Sequence, residues 1–158
     1  MSRVSLVRGT IADYSVHMHI YQSPEHDDCF AVRQAARHLS QLYERHLSAA
    51  GLTPTQFSIL GALGRASSLT MAELARSMVM ERTTLVRALK LLQRDGLVIS
   101  EPSEHDGRTY LFSLSGAGKE TFAQAAVAWR AAQDEFESKF GRSRAKALRA
   151  ELFNMTAS

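Results

Sequence analysis

The run from Glu81 to Asp95 carries the chemistry that stands out in this chain: Arg82, Thr83, Thr84, Arg87 and Lys90 lie on or near the side of a helix that faces away from Leu85, Ala88, Leu89 and Leu92. Most of them fall in its first two turns. An arginine fork can grip the major-groove edge of guanine at two points, and a threonine can hydrogen-bond a base or touch a thymine methyl. Arg94, further along, suits a phosphate, as does Lys90. A face of mixed charge on an amphipathic helix is, alone, what a solvated surface looks like. Its position changes that reading, because it follows a capped short helix and precedes a hairpin whose tip is His105-Asp106-Gly107-Arg108. Arg108 can enter a narrow minor groove or hold a phosphate. Asp106 is better suited to orienting Arg108, or to bracing the tip by hydrogen bonds, than to meeting DNA.

The elements that must position these groups are legible from their punctuation. Residues 1–28 read as an N-terminal arm, broken by Gly9, Pro24 and the polar run Glu25 to Asp28. From Phe30 a helical period sets in, with Ala35, Ala36, Leu39, Leu42, Tyr43 and Leu47 on one face and Gly51 as its stop. Thr53 caps a second helix that has Pro54 in its first turn, Gln56 placed to reach back, and Phe57, Leu60 and Leu63 along it. A polar linker ends at a second capping box, Thr70 with Glu73, opening a short helix through Leu74, Ala75 and Met78. A turn near Val79 and Met80 leads into the helix of residues 81–95, which ends at Gly96. Two strand-like segments, 97–100 and 109–114, form a hairpin. Ser115 caps a long helix with Phe122, Ala126, Trp129, Phe136 and Phe140 on one side; Gly141 breaks it, and Leu148, Leu152 and Met155 mark a last amphipathic helix. Two short helices around a tight turn, followed by a two-stranded wing, make a helix-turn-helix variant.

Bulk properties agree. A chain of 158 residues, 45% hydrophobic and 22% charged, has room for one domain with an adequate core. The formal net charge of +3 permits a polyanionic partner without demanding one, so placement of the charges decides. One cysteine, Cys29, excludes an internal disulfide framework and fits a reducing compartment. With no apolar run long enough to span a membrane, the expectation is a cytoplasmic protein. The chain shows no nucleophile elbow, phosphate loop, zinc-protease motif or paired carboxylates, so it does not read as an enzyme, and no cofactor is expected. His17-x-His19 lacks a neighbouring ligand cluster and gives no metal site. His38 and His46 fit solvated helix positions.

Six segments in order, Gly51-Leu-Thr-Pro-Thr-Gln-Phe57, Met71-Ala-Glu-Leu-Ala75, Arg82-Thr-Thr-Leu-Val-Arg87, Gly96-Leu-Val98, Asp106-Gly-Arg108 and Leu114-Ser-Gly-Ala-Gly118, resemble the MarR family of bacterial regulators. The resemblance covers residues 29–156. It implies a mainly α fold with a two-stranded β wing: a winged helix-turn-helix core over about 53–114, between dimerisation helices at about 29–50 and 115–156. It implies a homodimer on a pseudopalindromic operator of double-stranded DNA at the bacterial nucleoid, acting as a repressor, and release by a small aromatic or anionic ligand held in a crevice between the dimerisation and DNA-binding parts. The apolar stripes Phe122-Trp129-Phe136-Phe140 and Leu148-Leu152-Met155 support the dimer independently, as surface in excess of what one small domain covers. An architectural winged helix that does not read sequence is the other class.

Members that resemble the organic-hydroperoxide regulators carry a Cys-Phe pair where Cys29 and Phe30 stand, and use the thiol as a peroxide sensor. Tyr43 matches one of their tyrosines, whereas Arg33 and Pro54 occupy the places of the other two. Arg33 would favour a thiolate; Asp27 and Asp28 would oppose it. The alternative is a buried cysteine acting as a small hydrophobe.

Overall fold

The computed structural model describes residues 24–104 and 106–157. Most of the expected arm, with His17 and His19, and the wing residue His105 lie outside the described residues. The chain divides into two compact units, residues 1–40 and 41–158, with the boundary inside helix α1 (Asp28–Leu47). Each unit is described by itself.

In the first unit, a single turn at Pro24–His26 precedes α1. Asp27 accepts the Phe30 backbone N–H at 2.8 Å, which satisfies one of the orphan donors at the helix start. Phe30, Val32, Ala35 and Ala36 are all exposed here.

The second unit contains the rest. Helix α2 (Pro54–Ala66) opens with the expected capping box: the Gln56 N–H donates to the Thr53 hydroxyl at 3.2 Å and the Thr53 N–H donates to the Gln56 side chain at 2.9 Å. After it, where composition points to a polar linker, comes a strand, β1 (Ser68–Thr70). Helix α3 (Met71–Met78) starts from the second box, in which Glu73 accepts both the N–H and the hydroxyl of Thr70 at 2.8 Å. These two bonds hold the Glu73 carboxyl below its ordinary pKa. Helix α4 spans Arg82–Arg94, one residue shorter at each end than expected, with Glu81 at its N-cap. Strands β2 (Val98–Pro102) and β3 (Tyr110–Leu114) form the hairpin; α5 (Gly116–Phe140) and α6 (Arg142–Thr156) follow.

The sheet order is β1-β3-β2, antiparallel throughout. The pairing of Leu69 with Phe112 and of Thr70 with Leu111 therefore sets the start of α3 beside the stem of the wing. A core of Leu60, Leu63, Leu74, Leu85, Leu89, Leu92, Val98, Phe112 and Leu114 lies beneath the three short helices and the sheet. Full burial of a leucine side chain is worth roughly 1.5–3 kcal/mol, so the three α4 leucines alone fix which way that helix faces.

The stripe on α5 divides in a way its periodicity did not show. Phe57 of α2 stacks on Trp129 at 4.4 Å between ring centroids and meets Phe122 at 4.8 Å, while Tyr43 lies 4.3 Å from Trp129. Phe122 and Trp129 thus pack against the chain's own core and are not spare surface. The exposed apolar groups at this end are Leu152, Phe153 and Met155 of α6, the last two about 70% accessible.

At the turn between α3 and α4, Val79 has φ 50° and ψ 46° and is 72% exposed. The left-handed region costs a non-glycine residue roughly 1–2 kcal/mol, and a β-branched residue is the least suited to it. Val79→Gly is expected to raise stability by about 1 kcal/mol despite its freer unfolded chain, which chemical denaturation would register as a higher midpoint at unchanged m-value.

Candidate nucleic-acid interface

Helix α4 buries Leu85, Leu89 and Leu92 and leaves Arg82, Thr83, Thr84, Arg87, Lys90 and Arg94 exposed. At 3.6 residues per turn, Thr83, Arg87, Lys90 and Arg94 lie within about 60° of one another, opposite the leucines. Arg82 and Thr84 flank that stripe on either side. Proximity in sequence groups Arg82 with the stripe. The fold turns it toward the wing, where Arg82 and Arg108 line one cleft with the start of α3.

The stripe is held from behind. Gln93 donates to the Ser100 hydroxyl at 3.0 Å, tying the inner side of α4 to β2. At the end of the helix the Leu97 N–H donates to the Leu92 carbonyl at 2.9 Å. Arg94 donates to Asp95 at 2.8 Å. Its charge is therefore partly neutralised within the chain, which leaves Lys90 the freer group for a phosphate.

In the wing, the Asp106 carboxylate accepts the Arg108 backbone N–H at 3.0 Å and the Thr109 hydroxyl at 2.8 Å. The Thr109 N–H donates to the Asp106 carbonyl, and the Ser103 N–H donates to the Thr109 carbonyl at 2.8 Å, closing the loop. Of the two roles expected for Asp106, bracing is the one observed, and it runs through the main chain of Arg108 rather than its guanidinium. The same two bonds, the backbone one first, hold the Asp106 carboxyl below its ordinary value. Its contribution to the loop is complete above that ordinary value and is lost as pH falls through the lower folded one. An NMR titration is expected to show the Asp106 carboxyl and the Arg108 amide moving together below pH 3.8. Titration of the Arg108 amide at or above that value would refute the bracing role.

Arg108 is exposed and forms no ion pair among the described residues. The cleft it shares with Arg82 could not be seen in the sequence, because it depends on β1 pairing with β3. Thr70, Met71 and Tyr110 also line it, and no local pattern in the sequence places them beside Arg82.

Cys29 is exposed in the first turn of α1, so the reading of a buried small hydrophobe is overturned. Tyr43 donates its hydroxyl to Gln133 at 2.6 Å, and burial pushes the phenol pKa up. Gln133 donates in turn to Glu137, which also accepts Arg149 at 2.9 Å. Beside this chain, Glu135 takes up Lys139 at 2.6 Å and His46 at 2.7 Å, and these bonds hold its carboxyl down to about 2. His46 is thus a half-buried hydrogen-bond partner of Glu135, not the solvated residue expected. Among the described residues no cluster of His, Cys, Asp and Glu could hold a metal ion, and no helix is long and apolar enough to cross a membrane.

Comparison with known proteins covers the same elements. The sequence profile of the MarR family matches residues 50–109, from the end of α1 to the wing tip. The transcriptional activatory protein BadR of Rhodopseudomonas palustris is 33% identical over 93 residues, 57% of this chain and 53% of that protein. The organic hydroperoxide resistance transcriptional regulator of Bacillus subtilis is 28% identical over 94 residues, 60% of this chain and 64% of that one. The chain therefore spans between half and two thirds of these curated relatives. The crystal structure of the M. tuberculosis transcriptional regulator MosR in complex with DNA superposes with a TM-score of 0.72 at 36% identity, covering 82% of this chain and 93% of that one. The helix order, the wing and these matches agree on one assignment: the chain belongs to the MarR family of winged-helix transcription regulators.

Proposed function

We propose that this protein is a sequence-specific DNA-binding regulator that acts as a homodimeric repressor on a pseudopalindromic operator and is released by a small-molecule ligand. The observation that carries the reading is the Thr83-Arg87-Lys90-Arg94 stripe opposite the buried leucines of α4, with Arg108 free at the wing. The stripe would enter the major groove, with Thr83, Thr84 and Arg87 at base edges and Lys90 and Arg94 toward phosphates. Arg108 would hold the backbone or the minor groove, with Asp106 shaping its loop. Exposed Leu152, Phe153 and Met155 supply apolar area for a second copy, and a two-fold dimer would set half-sites about 34 Å apart.

Selection of bound fragments from random DNA by the purified protein tests this. A two-fold symmetric site bound at least ~10³ tighter than bulk DNA is expected; uniform binding would favour the architectural winged helix instead. Arg108→Ala is expected to weaken binding to all sequences alike and to reduce the slope of log K against log salt by about one. A base-specific loss measured by fluorescence anisotropy would contradict the anchoring role.

A peroxide-responsive variant of this reading is favoured by the exposure of Cys29 and by the similarity to the hydroperoxide regulator. The thiol would be oxidised to a sulfenic acid, with the peroxide reduced to an alcohol. Loss of operator binding on treatment with cumene hydroperoxide, absent in Cys29→Ser, is the expected result; equal responses in the two proteins would eliminate it.

A further inference from the structure

Among the described residues, helices α1, α2, α3 and α5 each open on a side chain that accepts an N–H of the first turn: Asp27, Thr53, Thr70 and Ser115. Helix α6 follows Gly141, which has no side chain to offer. Helix α4 is the exception. Glu81 stands at its N-cap with an extended backbone, φ -62° and ψ 137°, and its side chain accepts nothing from the turn it precedes. The carboxylate is exposed and forms no ion pair among the described residues. Two residues earlier Val79 holds a left-handed φ of 50°. The link between α3 and α4 thus carries two departures from local preference that no contact within the chain offsets, which is where a functional constraint is expected.

A negative charge at a helix start complements the macrodipole, and that alone would give Glu81 a structural role. Its place gives it a second. The first residues of a helix that enters the major groove are the ones that meet base edges. The charged groups exposed on α4 are Arg82, Arg87, Lys90 and Arg94, all positive, so Glu81 is an acid set at the head of a basic surface. Facing a polyanion, it lowers affinity for every sequence unless a base offers it a donor. Guanine presents two acceptors there and thymine one, while the adenine amine sits beside the N7 acceptor. Cytosine alone presents an amine with no acceptor next to it.

We propose that Glu81 is a specificity-determining residue, whose carboxylate accepts the N4 amine of one cytosine in each half-site and repels the other three bases at that position. It selects chiefly by penalising wrong sequences, where Arg87 selects by rewarding a right one. The free carboxylate that a capping role leaves unexplained is what such a contact requires. The inference rests on the reading of α4 as the helix that enters the major groove.

The test measures binding of the full chain to the selected operator, to all its single-base variants and to bulk DNA, for wild type, Glu81→Ser and Glu81→Gln, with thermal unfolding of each protein alongside. Wild type is expected to favour cytosine at one position per half-site by a factor of roughly 5 to 150. In Glu81→Ser that preference should fall below about twofold, while affinity for bulk DNA rises roughly threefold at low salt because the repelling charge is gone. The same substitution should raise the thermal midpoint, since serine can accept the N–H that glutamate leaves open. Glu81→Gln, whose amide both donates and accepts, should move the preference from cytosine to adenine. A serine variant that loses stability and keeps the wild-type ranking of bases overturns the inference, because the charge then serves only the helix dipole. A wild type that prefers its operator but has no cytosine position responsive to either variant also overturns it, and leaves the proposed function standing. A wild type that binds all sequences alike overturns the proposed function and this inference with it.

Discussion

Arg87→Ala is expected to weaken binding to the selected operator by about 1–3 kcal/mol, roughly a factor of 5 to 150, and to relax base preference at one position in each half-site. Three features single out Arg87. It lies in the middle of the exposed stripe of α4, one turn beyond Thr83 and opposite Leu85 and Leu89, so the packing that orients the helix also aims this side chain outward. It forms no ion pair among the described residues, in contrast to Arg94, whose guanidinium is already bonded to Asp95 at 2.8 Å. An arginine is also the side chain whose planar fork matches the two acceptors of guanine, so a lysine in its place should recover charge without recovering preference. The measurement is a set of binding curves for all single-base operator variants with wild type, Arg87→Ala and Arg87→Lys. Lys90→Ala serves as the control: it should lower affinity for every variant by a similar factor and reduce the salt slope. If Arg87→Ala preserved the wild-type ranking of bases, the assignment of the sequence-reading face would fail, whatever the total affinity.

How much of this was legible beforehand depends on the range of the signal. Both capping boxes, Thr53 with Gln56 and Thr70 with Glu73, are four-residue patterns, and both form as written. The α4 leucines recur at four- and three-residue steps, so the buried side of that helix could be read directly, and with it the opposite stripe. Strand β1 could not. Ser68-Leu69-Thr70 has no alternation long enough to register, and it exists because β3 offers it a partner edge. The cleft of Arg82 and Arg108 was hidden with it, since only that pairing brings Thr70 beside the wing stem. Periodicity also names a face without naming what covers it. It offers Phe122 and Trp129 as dimer surface, and Phe57 and Tyr43 cover them within the chain. The role of Asp106 was half legible: an Asp two residues before an Arg suggests bracing, but only the loop geometry shows the backbone N–H as its target.

Among glycine-to-alanine changes at the described residues, Gly118→Ala is expected to be the most damaging, lowering stability by about 3 kcal/mol and the thermal midpoint by roughly 6–12 °C. A methyl placed on Gly118 would sit 2.0 Å from the carbonyl oxygen of Leu97 and 2.9 Å from its carbon, both backbone atoms with no rotamer to escape into. That contact is one side of a clamp. The Ser115 hydroxyl donates to the Gly96 carbonyl at 2.6 Å and accepts the Gly118 N–H at 2.9 Å, while the Ser115 N–H donates to the Leu97 carbonyl at 3.1 Å. The start of α5 is thereby fastened to the end of α4 and the first residues of the wing. Relieving the clash means lifting α5 off Leu97, which would break those hydrogen bonds and shift the end of α4. The same substitution at Gly116, where a methyl meets nothing within 4 Å, is expected to leave stability nearly unchanged and serves as the reference. Thermal unfolding of the two variants beside wild type makes the comparison. Equal midpoints for Gly116→Ala and Gly118→Ala would mean that the close approach at Leu97 is not maintained in solution, and that α5 is not fastened to the end of α4.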